Sequence, residues 1–192
     1  LNEQIYGNWE LVICADTRQA PVVRQFLDSA GAGPRVSLCE CAELTWSAAF
    51  AACRGAYIGV IDAGHVLEPR ALVAVAKNIA ITADAGFIYA DEDRLVGSNR
   101  VAPLFKPAWS PLYLQSGNYV GRPWFCRATL LSGTVTGHER CTSATEYSLL
   151  KKIGQTAGKV VHIPMVLYSR PGDPAREADA DMHRCPEGLH AF

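Results

Sequence analysis

The apolar stretch AYIGVI spans residues 56–61 and is followed at once by Asp62. Its β-branched and aromatic residues, and its short length, predict a buried strand. An alanine-rich segment at residues 43–54 precedes it, with Gly55 at the junction, and residues 68–82 follow with apolar side chains at helical spacing. A strand set between two helices predicts an α/β fold.

The same alternation continues on both sides of this stretch. Further strands are predicted at residues 9–14, 35–39, 85–89, 119–127 and 159–163, and further helices at 20–30, 110–116 and 143–153. Alternating elements of this length are typical of a mostly parallel central sheet flanked by helices, so we expect one domain over residues 1–170. Residues 171–192 are rich in Pro, Gly, Asp and Arg and predict an extended or disordered tail.

The composition excludes several classes of function. The 18 Lys and Arg residues nearly balance the 19 Asp and Glu residues, so the chain lacks the basic excess of a nucleic-acid-binding domain. No apolar run reaches the roughly 18 residues of a membrane span. The seven cysteines are odd in number and show no disulfide-framework spacing, which favours reduced thiols. We therefore expect a cytoplasmic domain, held at the inner face of the membrane only through other parts of a longer chain.

Acidic residues follow three of the predicted strands. Asp16 follows the first strand, Asp62 follows AYIGVI, and the acidic triplet at residues 91–93 follows the strand at 85–89. Ligands of open α/β sheets bind beyond the carboxyl ends of the strands, and clustered carboxylates favour a cation or a donor-rich ligand. A turn or helix-capping role is the alternative for both Asp16 and Asp62, and a solvated acidic turn is the alternative for the triplet.

Six phrases, in order along the chain, carry a resemblance to a known family. They are YGNWELVI at residues 6–13, AACRGAYIG at 51–59, YADED at 89–93, FKPAWSP at 105–111, NYVG at 118–121 and HIPMVLY at 162–168. Together they resemble family 2 glycosyltransferases of the bacterial polysaccharide and O-antigen type. The resemblance implies a GT-A fold and a hexosyltransferase that moves a sugar, with inversion, from a nucleotide-diphospho-sugar to a hydroxyl of a glycan or lipid-linked acceptor.

The resemblance also implies a divalent metal ion, Mn or Mg, on the donor diphosphate. Asp62 corresponds to the first acid of the family's Asp-x-Asp motif, but Gly64 stands where the second acid is usual. His65 follows and offers an imidazole that suits manganese, with an ordinary loop histidine as the alternative. Asp62 and His65 are therefore the candidate metal ligands.

The remaining candidate residues also come from the resemblance. Glu146 corresponds to the catalytic base, and an acid favoured by the dipole of its helix is the alternative. Asp16 corresponds to a carboxylate that meets the nucleobase, and Asp91 and Asp93 to the donor or acceptor edge. With Asp62, these aspartates form the candidate nucleotide-sugar site.

The usual first strand of the family has no counterpart before residues 6–13. Its absence would leave backbone edges unpaired, so that another chain fills the gap, the sheet is rearranged, or the chain is a piece of a longer product. Among these alternatives we expect a homodimer through the vacated edge. The altered motifs leave a second function open, namely a catalytically impaired GT-A-like domain that binds a nucleotide, a glycan or a partner protein.

Overall fold

A computed structural model describes residues 1–135, 137 and 139–173. All of the predicted tail beyond residue 173 lies outside these residues. The elements are β1 (Leu11–Asp16), α1 (Ala20–Ser29), β2 (Val36–Cys41), α2 (Trp46–Ala51), β3 (Tyr57–Gly59), β4 (Val66–Leu67), α3 (Ala71–Ile81), β5 (Ala85–Val96), β6 (Asn99–Leu104), α4 (Pro111–Ser116), β7 (Trp124–Arg127), α5 (Ala128–Thr134), α6 (Ser143–Thr156) and β8 (Lys159–Pro171). None of the helices in this part of the chain has the length and apolarity to cross a bilayer.

The strands form two sheets, one parallel and one of mixed direction. β1 and β2 pair in parallel as a sheet of their own, and the second sheet has the order β3-β7-β5-β8-β4 with β6 also on β5. β5 and β8 pair in parallel, whereas β3–β7, β5–β7, β5–β6 and β4–β8 are antiparallel. The α/β class is confirmed. The mostly parallel sheet is not observed, because β6 follows β5 in a hairpin and β7, which α4 separates from β6, also runs antiparallel to β5.

β5 lies at the centre of the core, and its side chains alternate between two apolar clusters, one on each face of the strand. Phe87 and Tyr89 belong to a cluster with Trp124 and residues of α6, such as Leu149. Ile88 and its neighbours on the other face of the strand join Ala71 and Val75 of α3. A strand covered on both faces reads as a continuous apolar run, which explains the clear signal at residues 85–89.

The two sheets meet where the strands β1 and β3 begin. The Glu10 carboxylate, just before β1, accepts hydrogen bonds from the backbone N–H groups of Arg54 (2.5 Å) and Gly55 (3.1 Å), just before β3. Among the described strands, however, β1 pairs only with β2, and β3 pairs only with β7. Each of these two strands therefore keeps one backbone edge without a strand partner in this part of the chain.

Candidate functional site

Asp62 lies in a tight turn just beyond β3. The backbone N–H of His65 donates to the Asp62 carbonyl at 3.2 Å, and Gly64 has a φ of 81°. A turn closed in this way with a left-handed third residue favours glycine, because a side chain there would be strained. Gly64, which replaces the expected second acid, is therefore required by the backbone of the turn.

Glu146 lies in the first turn of α6. Thr142 and Thr145 form a capping box at the start of this helix, which fixes where the helix begins. The Glu146 carboxylate accepts hydrogen bonds from Arg122 Nε at 3.1 Å, Arg122 Nη2 at 2.8 Å and Trp124 Nε1 at 2.7 Å. The side chain is 10% exposed, so these three donors replace most of its hydration.

Arg122 joins the two strongest candidates from the sequence. It holds Glu146 with Nε and Nη2, and its Nη1 forms an ion pair with Asp62 Oδ2. Burial would lower the pKa of Arg122, but hydrogen bonding and the charges of Glu146 and Asp62 outweigh burial and raise this pKa. The guanidinium therefore stays charged and bridges a buried carboxylate to one that is 51% exposed.

Gly121 allows the chain to approach Glu92 just before Arg122. Its φ is 49°, and a Cβ added there would lie 3.1 Å from Glu92 Oε2. The same oxygen accepts from the backbone N–H of Arg122 at 3.1 Å. The backbone N–H of Arg122 is thus fixed by the buried Glu92 carboxylate.

Glu92 contacts two further cations near Arg122, namely Lys106 and Arg170. Its Oε2 accepts from Lys106 Nζ at 3.2 Å, and its Oε1 pairs with Arg170 Nη2 at 2.8 Å. Lys106 Nζ also donates to the Arg122 carbonyl at 2.6 Å. Burial lowers the pKa of Lys106 to about 8, against the opposing effect of Glu92. The lysine therefore bears a cost of burial that its ion pair offsets only in part.

Three cations and three carboxylates make up this arrangement, which we call the Arg122 cluster. Its members are Asp62, Glu92, Lys106, Arg122, Glu146 and Arg170. Tyr168 borders it, since its hydroxyl accepts from the backbone N–H of Asp62 at 3.2 Å. The His65 ring lies 5.3 Å from the Tyr168 ring. The cluster balances its own charge and has one face, at Asp62, that is open to solvent.

Asp91 and Asp93 lie inside β5, not on an exposed turn. Asp91 Oδ1 accepts from the Lys106 backbone N–H at 2.9 Å and lies 2.8 Å from His162 Nε2. Asp93 Oδ2 pairs with Arg100 Nε at 2.5 Å. The two aspartates are 2% and 5% exposed, so the alternative of a solvated acidic turn is wrong. Both hold neighbouring strands, and their proposed contact with a donor remains a prediction.

Asp16 stands apart from the Arg122 cluster. Its Oδ1 accepts from the backbone N–H groups of Arg18 and Gln19, both at 2.9 Å, and Oδ2 pairs with Arg18. The hydrogen bond from Gln19 is the main reason why the pKa of Asp16 is lowered. In the described residues no hydrogen bond or ion pair joins Asp16 to the cluster. Its contacts are those of a residue that caps the turn into α1.

The expected metal ligands do not form a site that suits a divalent cation. Asp62 already pairs with a guanidinium, and bringing a positive charge within ~4 Å of that group costs about 4 kcal/mol per unit charge at an effective dielectric constant of ~20. The pKa of His65 is lowered, mainly by burial and also by the charges of Arg122 and Arg170, against the opposing effect of Asp62. Within the part of the chain that the structure describes, no three His, Cys, Asp or Glu residues gather as a metal site would require.

Sequence reasoning missed the two arginines of this cluster, whereas Lys106 lies in the family phrase at residues 105–111. Arg122 follows the NYVG phrase and precedes a proline, and Arg170 is the residue before the end of β8 at Pro171. Neither residue belongs to a periodic pattern, and their partners are distant in sequence. Only the position of Arg122 between two family phrases offered a signal. A shallow open depression between α1 and β2, lined in part by Arg24 and Asp28, shares no residue with the cluster and lacks its convergent charges.

Two curated proteins are similar over nearly the whole chain. The O-antigen biosynthesis protein RfbC of Myxococcus xanthus is 30% identical over 187 residues, which cover 94% of this chain and 14% of that protein. The uncharacterized protein y4gI of Sinorhizobium fredii is 33% identical over 185 residues, which cover 91% of this chain and 20% of that protein. The chain therefore spans only a small part of each relative's length. No protein-family model matches it.

Proposed function

We propose that this chain is a family 2 glycosyltransferase domain with a GT-A-like fold. It would transfer a sugar from a nucleotide-diphospho-sugar to an acceptor hydroxyl, with inversion, in the synthesis of cell-surface polysaccharide. The observation that carries the proposal is the bridge that Arg122 makes between Asp62, beyond β3, and Glu146, at the start of α6. The name of the Myxococcus xanthus relative, an O-antigen biosynthesis protein, supports the polysaccharide context.

In this proposal Glu146 is the general base. Its Oε1 accepts two hydrogen bonds and its Oε2 accepts one, which leaves one acceptor position on Oε2 for a substrate hydroxyl. The hydroxyl proton moves to Oε2 as the acceptor oxygen bonds to the anomeric carbon. The bond from that carbon to the diphosphate oxygen breaks, and its electron pair leaves with the nucleoside diphosphate. Attack opposite the leaving group inverts the anomeric centre.

A specific observation also favours a catalytically impaired binding domain. Glu146 is 8% exposed, and three donors already hold it, so a base in this state requires the surrounding groups to open before a hydroxyl can reach it. Under this alternative the cluster binds a nucleotide or a glycan and transfers nothing.

A transfer assay with matched variants separates the two functions. UDP-, GDP- and dTDP-sugars are offered with glycan and lipid-linked acceptors, and release of the nucleoside diphosphate is measured. We expect Glu146→Gln to lower the rate by about 100-fold or more and to remove the pH dependence of the base, while donor binding persists. Glu43→Gln, an exposed control, should leave the rate unchanged. Donor binding without turnover in the unmodified chain would favour the binding domain.

The proposed partners follow from the same function. They are the nucleotide-sugar donor, the acceptor and a second copy of this chain at the unpaired edges of β1 and β3. Work at the inner face of a membrane, through other parts of a longer chain, is proposed as the setting.

A further inference from the structure

We infer that the site neutralises the diphosphate of its donor with the guanidinium groups of Arg122 and Arg170 in place of a divalent cation. This inference rests on the proposed function, because it concerns the anionic part of the same ligand. It assigns to two arginines the role that the family resemblance gives to a metal ion.

Two arginine nitrogens point to an anion at this position. Arg122 Nη1 and Arg170 Nε are buried and have no hydrogen bond of good geometry within the described residues. Arg122 Nη1 forms a close ion pair with the half-exposed Asp62, the Arg122 side chain also interacts with the Tyr168 hydroxyl, and Arg170 keeps Glu92 through Nη2. Buried N–H groups are rarely left without an acceptor, so these atoms favour a ligand rich in oxygen.

Both arginines are held in place by groups that a ligand need not displace. Nε and Nη2 of Arg122 stay on Glu146, and Nη2 of Arg170 stays on Glu92. A guanidinium fixed on one side presents its remaining N–H groups in a planar fork, which matches phosphate oxygens. Glu92 also contacts the Arg122 backbone, so one buried carboxylate links the two cations.

Asp62 is the member of the cluster that an incoming diphosphate can replace. Its side chain is 51% exposed, so it can turn into water without leaving a buried charge, and Arg122 still keeps its pair with Glu146. A phosphate oxygen then takes the place of the Asp62 carboxylate at Nη1. In this arrangement Asp62 competes with the diphosphate, whereas as a metal ligand it would be required for diphosphate binding.

Calorimetric titration tests this assignment. The probes are inorganic pyrophosphate and the diphosphates UDP, GDP and dTDP, each with EDTA and, separately, with manganese. We expect binding with EDTA within about twofold of that with manganese, and about tenfold weaker binding for Arg170→Gln. Arg24→Gln, an exposed arginine paired with Glu40, is the matched control and should bind as the unmodified chain does. Thermal unfolding of each variant confirms that it is folded.

Asp62→Asn gives the sharpest contrast. Removing the competing charge should leave pyrophosphate binding equal or tighten it by up to about fivefold. Binding that requires manganese, or is lost in Asp62→Asn, would overturn the inference and leave the proposed function intact. Absence of binding for every probe in both conditions would overturn the proposed function together with the inference.

Discussion

Replacing Arg122 by methionine should destabilise the chain strongly, because a buried carboxylate loses its countercharge. Glu146, with a side chain that is 10% exposed, would keep Trp124 and lose two of its three hydrogen bonds. Hydrogen bonds to charged groups are worth about 1.5–3 kcal/mol each, and removal of one partner of a buried ion pair typically costs about 3–5 kcal/mol. The half-exposed Asp62 adds at most about 1 kcal/mol. We expect the free energy of unfolding to fall by about 3–5 kcal/mol.

Urea unfolding followed by tryptophan fluorescence measures this loss. A double-mutant cycle with Glu146→Gln separates the ion pair from packing, since glutamine removes the buried charge and still accepts from Trp124. The double variant should recover about 2 kcal/mol relative to the sum of the single changes. Arg24→Met, at an exposed pair, should cost less than about 0.5 kcal/mol. A cost below about 1 kcal/mol for Arg122→Met, or simple additivity in the cycle, would refute the buried bridge.

Three further predictions concern Lys106, the turn at Gly64 and the strand edges. The pKa of Lys106 in the folded chain is about 8, below its ordinary value of 10.5, so between these pH values the unfolded chain binds more protons than the folded chain. The free energy of unfolding, measured by chemical unfolding relative to Lys106→Met, should therefore rise by up to about 3 kcal/mol from pH 7 to pH 10.5. A difference that does not change with pH would contradict this prediction. Gly64→Ala should lower the free energy of unfolding by about 1–2 kcal/mol, because φ at this position is 81°. Gly133→Ala, within α5, is the control and should raise it by about 0.5–1 kcal/mol. Equal melting temperatures for the two variants would contradict the requirement for glycine in the turn. Light scattering after size exclusion should find a dimer, formed along the edges of β1 and β3, and a monomer at micromolar concentration would exclude this pairing.

Apolar periodicity predicted where several helices and the central strand begin, including α1, whose Val22 and Phe26 are exposed and belong to neither core cluster. The helices α1, α4 and α6 begin within one residue of their predicted starts, and β5 begins at Ala85 as expected. The prediction ended β5 at residue 89, whereas the strand continues to Val96 through three acids. Partners from β6, β8 and the loops after β6 and before β7 hold those carboxylates, although Asp93 Oδ1 is buried without a hydrogen-bond partner in the described residues. Such distant partners leave no local pattern in the sequence.

The candidate site was predictable only in its carboxylates. Asp62 and Glu146 were named from the resemblance, and the structure joins them, but through an arginine that no motif indicated. An isolated arginine has the same local appearance in a buried bridge as on a solvated loop. Its role depends on the three-dimensional meeting of β3, β7 and α6, which periodicity cannot specify.

The parallel ladder between β5 and β8 has a consequence for how the chain reaches its folded state. Asp91 and His162, which contact each other across this ladder, are 71 residues apart in sequence, whereas β5 and β6 are neighbours joined by a short turn. Closing a long loop costs more entropy than closing a hairpin, so the hairpin can form well before the ladder. During synthesis, Asp91 and Glu92 therefore lack the partners that β8 supplies, His162 and Arg170, until that strand has left the ribosome.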